Sequence, residues 1–146
     1  MKLKIKKLNE NAVVPEFATS GSAGMDLRAC IESDIVINPG QRALIPTGLA
    51  IALESNAYVA YLYARSGLAV KLGITLANCV GVVDSDYRGE IKIGLINQSD
   101  VPFTVTNGER IAQMVIAPVI VPEIEEVCEL DETERNEGGF GSTGRK

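Results

Sequence analysis

The stretch GVVDSDYRGEIKIGLIN, residues 81–97, places polar groups between two apolar, strand-like runs. Asp84, Asp86 and Tyr87 offer two carboxylates and a phenol, and Arg88 adds a guanidinium. The chain contains no histidine, so acid–base chemistry would have to use carboxylates, Tyr, Lys or Cys. Asp and Ser also favour turns through side-chain bonds to the backbone, so the stretch predicts either a plain turn or a reactive site.

Three further stretches set polar side chains into apolar runs: AGMDLRA (23–29), ARSGLA (64–69) and RIAQMVI (110–116). Each has a structural explanation when it is taken singly. Asp26 can cap a turn, Arg65 can form a surface ion pair, and Gln113 can face solvent from an edge strand. Only the set as a whole argues for function.

The character of the chain changes at Glu123, where EIEEVCELDETERNE brings many acids and little apolar periodicity. Such a segment has too little apolar surface to fold alone. We therefore expect a folded domain over 1–122 and a flexible C-terminal arm over 123–146. The arm still holds the parts of a phosphate clamp, because Arg135, Ser142 and Thr143 flank Phe140 in a glycine-rich run.

Short alternating segments dominate the rest of the chain. Turn-forming residues separate strand candidates at 2–8, 25–30, 34–38, 42–53, 57–64, 73–83, 90–97, 102–106 and 110–120. Residues 66–73 can form one short helix. Close, even spacing of strands predicts an all-β antiparallel sandwich or barrel.

Composition limits the classes of partner. The 146 residues suit one domain, and the net charge of −5 argues against nucleic-acid or anionic-membrane binding while it allows a small anionic ligand. The three cysteines are too widely spaced for a zinc site and predict free thiols in a reducing compartment. No apolar run approaches the ~18 residues of a membrane helix, and the basic N-terminus lacks the core of a signal peptide, so a soluble cytoplasmic protein is expected.

Taken in order, AGMDLRA, ARSGLA, GVVDSDYRGEI, RIAQMVI and RNEGGFGSTG resemble the five motifs of the trimeric deoxyuridine triphosphatase (dUTPase) family. The resemblance spans residues 23–144. It implies a distorted jelly-roll-like β-barrel or sandwich and a homotrimer with shared active sites, closed by an arm from a neighbouring chain. The sequence departs from the family at Ala64 and Val80, where Pro is usual, and at Asn136, where Gly is common.

The implied activity is hydrolysis of dUTP to dUMP and pyrophosphate, which supplies dUMP for thymidylate synthesis and keeps uracil out of DNA. By the resemblance, Asp84 activates the attacking water as general base, and Tyr87 lies against the deoxyribose and excludes a 2′-hydroxyl. The segment 78–92 is interpreted as a hairpin whose backbone reads the uracil edge. Asp86 and Arg88 are expected to be structural. The residues expected around the nucleoside are Asn78, Gly81, Val82, Val83, Asp84, Tyr87 and Lys92.

The resemblance also implies a triphosphate site. Asp26 and Gln113 would orient waters on a Mg²⁺ ion that the triphosphate itself mainly holds. In the arm, Phe140 would stack on the uracil. The residues expected to bind the phosphates or to close over the substrate are Arg65, Ser66, Gly67, Gln113, Arg135, Phe140, Gly141, Ser142 and Thr143.

Two other functions are compatible with the same fold. A dCTP deaminase would need a catalytic glutamate in the base pocket, where VVDSDYRG offers Asp and Tyr. A non-catalytic, dUTP-responsive regulatory module would have no need of the complete set of polar groups.

Overall fold

Short strands make up most of the regular secondary structure of the protein, in agreement with the all-β prediction. The computed structural model describes residues 1–139 and 142. In that part of the chain the single helix, α1, spans Ser66–Leu72. The eleven strands are β1 Lys4–Lys7, β2 Met25–Arg28, β3 Ile35–Ile37, β4 Arg42–Pro46, β5 Leu49–Ala52, β6 Tyr58–Tyr63, β7 Ile74–Leu76, β8 Gly81–Val83, β9 Lys92–Asn97, β10 Phe103–Val105 and β11 Arg110–Pro118.

Two of the predicted strands are each divided in two. The run 42–53 breaks between β4 and β5 at Gly48, whose φ of +67° is a left-handed conformation that favours glycine. Two hydrogen bonds hold this break against the residues that precede β9. The Gly48 N–H donates to Glu90 Oε1 at 2.8 Å, and the Thr47 hydroxyl donates to the Ile91 carbonyl at 2.6 Å. The run 73–83 breaks between β7 and β8 at a turn in which Cys79 has a φ of +62°.

All strand pairs are antiparallel. A four-stranded sheet has the order β2-β11-β6-β8 and a three-stranded sheet the order β4-β9-β7, while β1 pairs with β5 and β3 with β10. Within the described residues these sheets do not join into one closed barrel, so the architecture is the jelly-roll-like sandwich of the two forms predicted.

The segment 78–92 is not a hairpin, and that interpretation was wrong. β8 pairs with β6, whereas β9 pairs with β4 and β7. The intervening loop, residues 84–91, carries the chain from one sheet to the other instead of turning it back on itself. The polar residues of the opening stretch therefore lie between two sheets.

A single apolar core holds the sheets together. Leu27, Ile45, Ile93, Leu95 and Met114 are almost fully buried in it, and each contributes about 1.5–3 kcal/mol by leaving water. The strand β9 shows the regular alternation of exposed or intermediate and buried residues that the sequence predicts.

The C-terminal region is extended and mostly exposed. β11 ends at Pro118, and residues 119–139 contain no helix or strand. Apolar side chains in this region face solvent, and the most exposed are Ile120, Ile124 and Leu130 at 88%, 92% and 87%. In the described part of the chain, no helix has the length and apolar character needed to cross a membrane.

Candidate active site

A cavity of about 460 Å³ lies against β8, the last strand of the four-stranded sheet. Since β6 pairs with only one side of β8, the other side presents unpaired backbone N–H and C=O groups. The opposite wall comes from the three-stranded sheet β4-β9-β7 and from the loop that leads into β9. The lining residues are Leu44, Leu62, Asn78, Gly81, Val82, Val83, Asp84, Tyr87, Glu90, Ile91 and Lys92. All seven residues expected around the nucleoside are therefore brought together here.

Hydrogen bonds within the loop after β8 hold the backbone of Asp84 and the side chain of Tyr87. The exposed Asp84 directly follows the strand, and its carbonyl accepts the Tyr87 N–H at 3.2 Å. The Tyr87 hydroxyl donates to the Glu90 carbonyl at 3.0 Å. Arg88 donates to the carbonyls of Ser85 and Tyr87 at 2.8 and 2.9 Å, so its guanidinium bonds to its own loop.

Gly89 allows the Tyr87 ring to lie back over this loop. A Cβ added at Gly89 would come within 2.6 Å of Tyr87 Cζ and even closer to the hydroxyl. Any other residue would therefore displace the ring or the loop. The DYRG sequence thus has a steric explanation that does not depend on turn propensity.

Glu90 is a cavity residue that the sequence analysis did not consider. Its carboxylate accepts the Gly48 N–H at 2.8 Å and lies 3.5 Å from Lys92 Nζ. This cavity therefore contains a glutamate, whose carboxylate joins the loop to Gly48, just before β5, and to Lys92 at the start of β9.

A second cavity, of about 390 Å³, contains five of the residues expected around the triphosphate: Asp26, Arg65, Ser66, Gly67 and Gln113. They come from β2, β11 and the start of α1, where Arg65 is the N-cap residue. The lining residues are Ala18, Ser22, Ala23, Gly24, Asp26, Tyr63, Arg65, Ser66, Gly67, Arg110, Gln113 and Val115.

Charge in this cavity centres on one carboxylate shared by two guanidiniums. Asp26 Oδ1 accepts Arg65 Nε at 2.9 Å, and Asp26 Oδ2 accepts Arg110 Nη1 at 3.2 Å. Two cations beside one anion leave the cluster with a net positive charge, which suits an anionic ligand. Arg110 is a component that the sequence analysis missed.

Gln113 lies in the same cavity, opposite Asp26 in the β11–β2 register. Its Nε2 donates to the Ala64 carbonyl at 3.0 Å, which fixes the side-chain amide. A Cβ at Gly24 would lie 2.7 Å from Gln113 Oε1, so glycine in AGMDLRA provides room for that oxygen. In the described part of the chain, no group of three or more His, Cys, Asp or Glu side chains is placed to hold a metal.

The two cavities share no lining residue, and the adjacent β6 residues Leu62 and Tyr63 line one each. Val83 lies opposite Ala60, which places Asp84 level with Val59, whereas Arg65 follows the other end of β6. Six residues of extended chain separate Val59 from Arg65, which corresponds to roughly 20 Å at about 3.3 Å per residue. The general base and the phosphate-binding arginine expected of one site are thus far apart within one chain.

Two of the predicted arm residues, Arg135 and Ser142, line neither cavity. Arg135 Nε donates to the Gly138 carbonyl at 2.7 Å within a local turn, and Ser142 is exposed. Asn136 has a φ of +42° in that turn, a conformation that Gly adopts freely and Asn tolerates, so this departure from the family motif keeps the backbone shape. Phe140, Gly141 and Thr143 lie outside the described residues.

Comparison with known proteins agrees with this geometry. A model of the dUTPase family matches residues 10–144. The chain is 52% identical over 146 residues to a deoxyuridine 5′-triphosphate nucleotidohydrolase of Neisseria meningitidis, covering 99% of this chain and 97% of that protein. It is 55% identical over 145 residues to the protein of that name from Nautilia profundicola, covering 99% of this chain and all of the relative.

Solved structures show the same fold. A variant of the Staphylococcus bacteriophage 80alpha dUTPase with dUpNHpp superposes with a TM-score of 0.88 at 29% identity, covering 98% of each chain. A dUTPase variant from phage phi11 of S. aureus, described with a structural Mg(II) ion, has a TM-score of 0.79 at 26% identity, covering 88% of this chain and 98% of that one. Residues of the first four motifs line two cavities and the family model matches nearly the whole length, so the chain belongs to the dUTPase family.

Proposed function

We propose that this protein hydrolyses dUTP to dUMP and pyrophosphate. The observation that carries the proposal is the cavity at the free edge of β8, which has Asp84 at its rim and Asn78 and Tyr87 in its wall. Family membership supplies the substrate class. The reaction provides dUMP for thymidylate synthesis and removes a precursor of uracil in DNA.

The free edge of β8 accounts for base recognition. Uracil presents an acceptor–donor–acceptor edge, and alternating backbone N–H and C=O groups of an unpaired strand can match it, with help from the Asn78 amide. Cytosine carries an amino group in place of O4, so a backbone donor would be left unpaired against it. The Tyr87 ring would cover the deoxyribose, where a 2′-hydroxyl would collide with it.

Asp84 is the proposed general base. Its carboxylate takes a proton from a water molecule, and that water's oxygen forms a bond to the α-phosphorus as the bond to the β-phosphate oxygen breaks. The products are dUMP and pyrophosphate, and no atom of the protein is consumed. A base must lie within hydrogen-bond reach of its water, about 2.6–3.2 Å, so the α-phosphate has to sit at the rim of the β8 cavity.

The second cavity is the proposed triphosphate site. Arg65, Ser66 and Gly67 supply a guanidinium, a hydroxyl and a backbone N–H to phosphate oxygens. Asp26 and Gln113 offer the oxygen ligands that suit the waters of a Mg²⁺ ion, and a carboxylate has about four lone-pair sites, so bonds to two arginines leave acceptor capacity on Asp26. When bound with the triphosphate, Mg²⁺ neutralises phosphate charge during the displacement.

A homotrimer would bring the two cavities together in one site. Asp84 and Arg65 line separate cavities, roughly 20 Å apart along one chain by strand register, and a site that takes them from different chains would bring them to one substrate. The exposed Ile120, Ile124 and Leu130 of the extended C-terminal region are apolar groups that a neighbouring chain would cover. We propose that residues 123–146 form an arm that reaches a neighbour's site, where Arg135, Phe140, Gly141, Ser142 and Thr143 close over the substrate.

A deaminase is the second candidate, because Glu90 does line the base cavity. Its carboxylate is held by the Gly48 N–H and Lys92, which favours a structural role. One experiment separates the candidates: incubation with dUTP, dCTP, UTP and dTTP in the presence of Mg²⁺, with product identification. We expect dUMP and pyrophosphate from dUTP, and at least ~10²-fold less efficient turnover of the other three. Ammonia release from dCTP, or equal turnover of UTP, would refute the proposal.

A further inference from the structure

Arg110 reaches the triphosphate cavity because of an irregularity in β11. Gln113 lies opposite Asp26 in the neighbouring strand, and in an unbroken register Ile111 would lie opposite Arg28. Arg110 occupies that position instead, so β11 contains one extra residue at this point. Such a β-bulge re-aims the side chains that precede it.

The bulge changes the face on which Arg110 lies. In a regular strand, residues three apart point to opposite faces of the sheet, which would put Arg110 and Gln113 on different sides. With the extra residue, both lie on the face that carries Asp26. The burial pattern records the shift, because the consecutive residues Ile111 and Ala112 are both buried while Arg110 is exposed.

On that face, Arg110 occupies the Asp26 oxygen that Arg65 does not use. Arg65 bonds Asp26 through Nε alone, and its Nη1 donates to the backbone carbonyl of Arg110 at 3.3 Å. An Arg–carboxylate pair left to itself prefers two parallel bonds, which would engage a second nitrogen of Arg65. The Arg110 side chain, at 3.2 Å from Oδ2, competes with that second bond.

We propose that Arg110 is a positioning residue of the triphosphate site. It holds Oδ2 of Asp26, so that Asp26 restrains Arg65 through one oxygen and leaves the outer edge of the guanidinium for phosphate. This inference rests on the proposed function of the cavity. It differs from direct phosphate binding by Arg110, because Arg110 acts through Asp26.

The test replaces Arg110 by Met, which keeps much of the stem and removes the charged head. Binding of Mg²⁺–dUpNHpp and of dUMP is measured by calorimetry on the assembled protein. We expect triphosphate affinity to fall roughly 10-fold, the lower end for bonds to charged groups because the Arg110 side chain is 45% exposed. Affinity for dUMP should change less than about 2-fold. Arg110→Lys should restore most of the triphosphate affinity, since an ammonium can still hold one oxygen.

Arg42→Met is the matched control for loss of one positive charge. Arg42 is an exposed residue at the start of β4 and lines neither cavity. A similar loss of affinity in this control would mean that net charge alone explains the effect. Thermal denaturation of all variants checks folding, and Arg110→Gln provides a second neutral variant if the Met variant is unstable.

A double-mutant cycle with Asp26→Asn decides between action through Asp26 and direct contact. If Arg110 acts through Asp26, Arg110→Met should cost less than about 2-fold in the Asp26→Asn background. An equal 10-fold loss in both backgrounds would overturn the inference in favour of direct phosphate contact. No loss in the wild-type background would overturn it as well. Failure of the wild-type protein to bind dUpNHpp would instead refute the proposed function, so the two failures are distinguishable.

Discussion

Two inactive variants should restore each other's activity if the two cavities belong to different chains in one working site. One variant carries Asp84→Ala in the base cavity, and the other carries Arg65→Met in the triphosphate cavity. Strand register puts the backbones of these residues roughly 20 Å apart in one chain, and the two residues line separate cavities. We therefore expect each site to take Asp84 from one chain and Arg65 from another.

The expected recovery follows from independent assortment. When the two variants are unfolded together, mixed equally and refolded, half of the chains carry an intact Asp84 and half an intact Arg65. If the two residues of each site come from different chains, about a quarter of sites are intact on both sides, as the symmetry of a heterologous ring allows. Activity per site should approach about a quarter of the wild-type value.

Pyrophosphate release from dUTP measures the recovery, and native mass spectrometry confirms that mixed assemblies have formed. The control is the same mixture without unfolding, which should stay inactive over the assay time. A wild-type protein carried through refolding sets the upper value. If well-formed mixed assemblies stay inactive, Asp84 and Arg65 act from the same chain and the argument from strand register fails.

Two further predictions concern the loop after β8. Asp84→Asn should lower dUTP turnover by roughly 10²–10⁴-fold with little change in dUpNHpp binding, as expected for a general base. Steady-state kinetics on Asp86→Asn is the control. A larger loss of turnover in that variant would show that the wrong carboxylate was assigned. Gly89→Ala should reduce the preference for dUTP over UTP by about 10-fold or more, because the added methyl would overlap the Tyr87 ring, 2.6 Å from Cζ, and displace it. Gly21→Ala, whose Cβ would meet nothing within 4 Å, should leave that preference unchanged.

Local alternation predicted most of the strands because their side chains face either the core or solvent. β9 is the clearest case, with buried residues at every second position. Alternation does not record where a strand stops if the next strand continues the pattern. For that reason 42–53 was predicted as one strand, although the left-handed conformation at Gly48 ends β4 and begins a new direction.

Much of the polar lining of the two cavities could also be predicted, since the polar residues of each motif are unusual within apolar runs, although Glu90 and Arg110 were missed. The separation of the cavities could not. It depends on which strands pair, and β8 pairs with β6 whereas β9 pairs with β4 and β7. A sequence of the form strand, Asp-Ser-Asp turn, strand predicts a hairpin from local propensity, and the correct outcome follows only from contacts made elsewhere in the chain.

Arg110 shows the same limit at the level of one side chain. Strand periodicity alone would place Arg110 outside the site, because a residue three positions from Gln113 belongs on the other face of a regular strand. The bulge reverses that assignment by inserting Ile111, and Ile111 is accommodated because it finds a buried position in the core. The apolar residue that looks like ordinary core is thus what brings the arginine beside Asp26. A prediction that treats core residues and site residues separately misses such pairs, because here the packing of Ile111 determines the direction of Arg110.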